Sequence, residues 1–122
     1  MSTILVPTSG VVPAEGSAEY ISRIAKSLGA SIIVLHVHPN AEPTAAGHEA
    51  ANVLSQAAKT AGIQVRTMVQ QGSPVETIIA TAREEQVSLV LMGVSQGALV
   101  QEWVSSNVLH ESELPVVVIP HA

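Results

Sequence analysis

Four residues in the stretch LMGVSQGALVQEWVSSN (91–107) are suited to holding a phosphate: Gly93, Gly97, Ser105 and Ser106. Glycine lets main-chain amides approach an anion, and hydroxyls near a helix start add donors to the partial positive charge there. The stretch follows the apolar run SLVLMG (88–93), so a strand would deliver the chain to this loop. Its one charge is Glu102. Other groupings are weaker. His36 and His38 are two apart and share a face of any strand holding them, as two-ligand metal sites require. No third ligand is evident, and the pair reads as structural or solvent-facing. Ser9, Ser95, Ser105 and Ser106 with His110 would suggest a hydrolase triad, yet there is no GxSxG elbow and only Glu could orient the histidine. Trp103 reads as a lid or dimer contact.

Composition removes several chemistries. The 122 residues, 47% of them hydrophobic, fit a single domain (1–122) with a real core. Trp103 and Tyr20 are the only aromatics, so that core is built from Val, Ile, Leu and Ala, the usual filling between helices and a parallel sheet. No cysteine is present, which excludes disulfides, thiolate catalysis and Cys-based zinc sites. The ten acids are all Glu; without Asp there is no aspartyl nucleophile and none of the Asp that many phosphoryl-transfer sites use to hold magnesium. A net charge of -5 repels phosphate backbones and anionic membranes, so nucleic acid is not an expected partner. MSTILVPTSG lacks the basic and long apolar regions of a signal peptide, and no apolar run approaches the roughly 20 residues that span a bilayer. The expectation is a cytoplasmic protein without membrane insertion and without enzymatic activity.

The loop needs a frame to position it. Short β-branched runs alternate with segments of helical period, the pattern of repeated βα units on a parallel sheet buried on both sides. Strands are predicted at 3–7, 31–37, 63–69, 88–93 and 115–119. A first helix carries Ile21, Ile24, Ala25 and Leu28 inward and stops at Gly29; a second, about 49–61, ends at Gly62. In the third, Ser73, Pro74 and Glu76 form a capping box, with Val75, Ile78, Ile79 and Ala82 as the buried stripe. A short fourth helix is expected near Ser105 or Ser106, and 39–44 reads as a mobile loop.

Taken in order, ILVPT, LHV, GSPVETI, SLVLMG with its glycine-serine loop, and PVVVIP resemble the universal stress protein family along nearly the whole chain. The resemblance implies an α/β, Rossmann-like fold: a single open parallel five-stranded sheet of order 3-2-1-4-5 with helices on both faces. It implies a homodimer through the last strand, Val116, Val117, Val118 and Ile119. In one branch of the family it also implies binding of an adenine nucleotide, AMP or ATP. Such sheets bind ligands outside the carboxyl ends of the strands where the order reverses. Here the adenosine would lie near Pro7, Thr8, Ser9 and Val37, and the phosphate near Met92, Gly93, Gly97, Ser105 and Ser106. The family's glycine pattern is altered: Gly97 falls one place late, Ser105 and Ser106 lack a preceding glycine, and Ser9 stands where binding members carry an acid. Three readings stay open: an adenine nucleotide-binding regulator and a nucleotide-free dimeric interaction module, which the sequence favours about equally, and an enzyme with slow phosphohydrolase activity, for which no general base or metal ligand set is visible.

Overall fold

Val, Ile and Leu condense into runs too short for helices, and each run becomes a strand. The computed structural model describes residues 2–8, 15–38, 45–93 and 114–119. The elements are β1 (Thr3–Thr8), α1 (Glu15–Leu28), β2 (Ser31–His38), α2 (Ala45–Thr60), β3 (Val65–Gln71), α3 (Pro74–Glu84), β4 (Leu89–Gly93) and β5 (Val116–Ile119). All four strand pairings are parallel, in the order β3-β2-β1-β4-β5, as expected. The expected fourth helix and the 39–44 loop lie outside the described residues.

The strands divide their side chains between two cores. Ile4, Val6, Ile32 and Val34 point to the face covered by α1 and α2, where Ile21, Ala25, Leu54 and Ala58 meet them. Leu5, Ile33, Leu35 and Val90 point to the opposite face, against Val75, Ile78 and Ile79 of α3. Right-handed crossovers produce this division: the chain moves outward through β2 and β3 with its helices on one face, then returns to β4 across the other. Ile4, Leu5, Ile78 and Leu91 are among the largest fully buried side chains.

The three helices among the described residues end in one way. The amide of Gly29 donates to the Lys26 carbonyl (3.2 Å) and that of Ala30 to Ala25 (2.9 Å); Gly62 and Ile63 repeat this with Lys59 (3.0 Å) and Ala58 (2.9 Å). These paired bonds satisfy the last carbonyls and demand a left-handed residue after the cap, φ 63° at Gly29 and 78° at Gly62. At α3 the same bonds run from Gln86 to Arg83 (3.2 Å) and Val87 to Ala82 (3.0 Å), with Gln86 itself at φ 52°.

Several sequence expectations are corrected. β3 spans Val65–Gln71 rather than 63–69, because Ile63 is used to close α2 and the chain reaches the sheet only at Gln64, whose carbonyl accepts from Ile32 (2.9 Å). Nor is β3 buried on both sides: it is an edge strand, with Arg66, Thr67 and Val69 exposed. α2 begins at Ala45, before the expected 49. Leu28, expected to face inward, ends α1 at 53% exposure, whereas Ala25 three residues earlier is fully buried. Ser73 takes an extended conformation before Pro74, but its hydroxyl makes no capping bond; Ser73 is exposed, so water can serve the first amides.

Candidate functional site

The strand order reverses between β1 and β4. From β1 the chain moves to β2, and from β4 to β5, so the connections leave their shared end in opposite directions and open a crevice. β1 and β4 pair through Ile4 with Leu89 and Leu5 with Val90, then run on to Thr8 and Gly93. On the other side of β1, Pro7 is level with Leu35 and Thr8 with His36, which puts Val37 at the same edge of the sheet. Gly93 is level with Ile119 of β5.

Of the nine residues singled out in the sequence, the structure brings five to this edge: Pro7, Thr8, Val37, Met92 and Gly93. Ser9, Gly97, Ser105 and Ser106 lie outside the described residues. Pro7 is fully buried and Val37 is 8% exposed, so at these positions a ligand would meet main-chain atoms and an apolar edge rather than side-chain chemistry.

His36 and His38 belong to the same strand end. Both are buried, at 2% and 6% exposure, with ring centroids 5.9 Å apart, so the pair is structural rather than solvent-facing. They continue the alternation of Ile32 and Val34, whose side chains lie on the α1–α2 face. No group of three His, Cys, Asp or Glu able to hold a metal ion is found among the described residues. Among those residues, too, no helix is long and apolar enough to cross a membrane.

Two features of the structure have no plain local signal in the sequence. Gly72, between β3 and α3, sits at φ 150° and donates to the His38 carbonyl (3.0 Å), tying the end of β2 to the start of α3. A Cβ there would lie 2.5 Å from Thr77 Oγ1, so the GSP stretch is needed for close approach as well as for starting a helix. The other feature is a groove between α1 and α2, which depends on helix adjacency that no local pattern reveals.

An open parallel sheet flanked by helices on both faces, with its crevice at the β1/β4 reversal, defines the doubly wound α/β class. Residues 1–120 match the universal stress protein family, and the chain belongs to it. Solved structures share the fold. A universal stress protein in complex with cAMP is 23% identical, with 99% of this chain and 98% of that one covered at a TM-score of 0.72. One from Archaeoglobus fulgidus in complex with dAMP is 19% identical, with 98% of each chain covered at 0.71. A family member from Arabidopsis thaliana with AMP bound is 13% identical, with 100% and 93% covered at 0.68. No curated protein matched the sequence.

Proposed function

We propose that this chain is a small cytoplasmic regulator of stress response that works as one domain, binds an adenine nucleotide in the crevice between β1 and β4, and catalyses no reaction of its own. What carries this reading is the order reversal that sets Thr8 and Gly93 at one edge of the sheet, in a family whose solved members include complexes with cAMP, dAMP and AMP. The adenosine is assigned to Pro7, Thr8, Ser9 and Val37. The phosphate is assigned to the amides from Met92 and Gly93 to Gly97 and to the hydroxyls of Ser105 and Ser106. Two copies join through β5, whose Val117 is 42% exposed on an edge strand.

A second reading, a nucleotide-free dimeric interaction module, is favoured by one specific observation: Ser9 stands where an acid would contact the nucleoside. Mass spectrometry of nucleotide released from freshly purified protein, with calorimetry of AMP, ADP and ATP on the wild type and on Gly93→Val, separates the two. Binding of AMP that Gly93→Val abolishes is the expected result. No heat with any nucleotide, or heat unchanged by the substitution, refutes the site and leaves the interaction module.

A further inference from the structure

β3 is an edge of the sheet, and its backbone faces two ways. The Ile32 amide donates to the Gln64 carbonyl (2.9 Å) and the Gly72 amide to the His38 carbonyl (3.0 Å), with an unbroken parallel register between these bonds. A parallel ladder uses alternate residues of each strand, so Arg66, Met68 and Gln70 turn their N–H and C=O groups toward β2. Val65, Thr67, Val69 and Gln71 turn theirs away, which sets a row of donors and acceptors repeating roughly every 7 Å along the edge. Thr67, Val69 and Gln71 are exposed, so most of that row is open.

Edge strands are commonly closed to newcomers by lysine, proline, a bulge or brevity. β5, the other edge, is four residues long and has Pro115 just before it. β3 is seven residues long and has no lysine, no proline and no bulge; its one charge is Arg66, whose Nη2 lies 2.7 Å from Glu85 Oε2. Side chains flank the open row on both faces. Val65 packs against the α1–α2 core, so Thr67 and Val69 share that face, where Val69 is 38% exposed. Met68 packs half-buried against the α3 core and shares its face with Arg66.

We propose that β3 accepts an extended segment of another protein as a sixth strand, running antiparallel to it. Only an extended backbone matches donors and acceptors at this spacing, which fits a peptide strand and not a helix, a small anion or a lipid. The antiparallel direction lets each outward residue exchange both of its bonds with a single residue of the segment. On the α1–α2 face the segment presents β-branched side chains to Thr67 and Val69. On the α3 face it places an acid beside Arg66, which is 58% exposed and has guanidinium donors beyond the one held by Glu85. A second copy of this chain is a poorer occupant. Its own β3 has no acid to set beside Arg66, and copies joined there would leave β5 open to further copies, with no closed assembly.

The probe is a peptide of about seven residues, the length of β3, with Val opposite Val69, Thr opposite Thr67 and Glu opposite Arg66. It is titrated into the whole chain by nuclear magnetic resonance. In the free chain the amides of Thr67 and Val69 should exchange with deuterium much faster than those of Arg66 and Met68. The peptide should bind with a Kd below about 1 mM and, at saturation, slow exchange at Thr67 and Val69 at least about tenfold. Methylating the peptide amides opposite Thr67 and Val69 should weaken binding at least about tenfold, while methylating those opposite Arg66 and Met68, which face away from β3, should not. Val69→Pro removes one outward amide and no bond to β2, so it should weaken binding to the same degree. The methylated peptides are compared on the wild-type chain, and that comparison stands even if Val69→Pro disturbs folding. Equal effects of the two methylation patterns, absence of saturable shifts, or shifts centred away from β3 overturn the proposal. So does slow exchange at Thr67 and Val69 in the free chain with a dimer mass that Val69→Pro lowers, which makes a second copy the occupant.

Discussion

Replacing Gln86 by glycine should stabilise the protein, and the structure supplies the magnitude. Gln86 occupies the left-handed position after α3 at φ 52°, while the equivalent positions after α1 and α2 are Gly29 and Gly62. A non-glycine residue there costs about 1 to 2 kcal/mol of backbone strain. Glycine removes that strain but loses about 0.5 to 1 kcal/mol to the greater freedom of the unfolded chain. Gln86 is exposed, so no packing is forfeited. The net expectation is about 0.5 to 1 kcal/mol of added stability, a rise in Tm of roughly 2 to 5 °C for a domain of this size. Thermal unfolding followed by circular dichroism should rank position 86 as Gly above Asn above Gln above Val, since Asn tolerates this conformation and a β-branched residue does not. The converse substitutions, Gly29→Ala and Gly62→Ala, should each cost about 1 kcal/mol by backbone strain alone, because nothing lies within 4 Å of the added Cβ. A flat ranking at position 86, or an inverted one, refutes the reasoning.

At Gly72 the added Cβ meets both strain and a neighbour, so Gly72→Ala should cost roughly 2 to 3 kcal/mol. In a denaturation double-mutant cycle, Thr77→Ala should return about 1 kcal/mol of it, and full additivity would exclude the contact with Thr77 Oγ1. Breaking the 2.7 Å ion pair with Arg66→Met should cost less than about 1 kcal/mol by urea unfolding, because its side chains are 58% and 27% exposed. Ile78→Ala, fully buried under the sheet, should cost about 2 to 5 kcal/mol in the same assay. If two copies join through β5 as proposed, Val117→Lys should weaken that dimer in light scattering without lowering Tm by more than a few degrees, as Val117 is already 42% exposed.

The sequence carried the fold through signals that are local and redundant. Alternation of β-branched runs with helical stripes placed all five strands, and Gly29 and Gly62 marked two helix ends. It misplaced β3 by two residues because the apolar Ile63 looks like a strand residue, although its amide is committed to Ala58 at the end of α2. A shift by two keeps every side chain on its face, so the error left the core assignment intact. The left-handed turn at Gln86 was illegible because glutamine does not announce positive φ. At the site, the ends of β1, β2 and β4 could be named from the sequence since they follow from strand order. Whether His36 and His38 were buried could not, because that depends on α1 and α2 closing over one face of β2. The groove between α1 and α2 is further still from any local signal, arising only when two helices distant in sequence come to lie side by side.

The positions of the cations bear on which nucleotide the crevice can hold. The chain has five Lys and Arg residues in all, and the structure describes every one. Arg23 and Lys26 are in the second half of α1, Lys59 and Arg83 in the last turns of α2 and α3, and Arg66 is second in β3. All five therefore lie toward the amino ends of the strands, where the helix C-termini favour positive charge, and away from Thr8 and Gly93. No loop of the same chain has a further Lys or Arg to bring to the phosphates, and residues 94–113 contribute only Glu102, Glu111 and Glu113 as formal charges. A phosphate in this crevice would be held by amides and hydroxyls alone, against a net charge of -5. Each added phosphate then brings negative charge with no new partner, so AMP is expected to bind at least as tightly as ATP. Salt provides the sign test: screening relieves repulsion, so ATP affinity should hold or rise between 50 mM and 200 mM salt, whereas contact with Lys or Arg makes it fall. A falling ATP affinity in calorimetry would require a cation at the phosphates from outside this chain, supplied by a second copy or a bound metal ion, and would refute a site built from amides and hydroxyls.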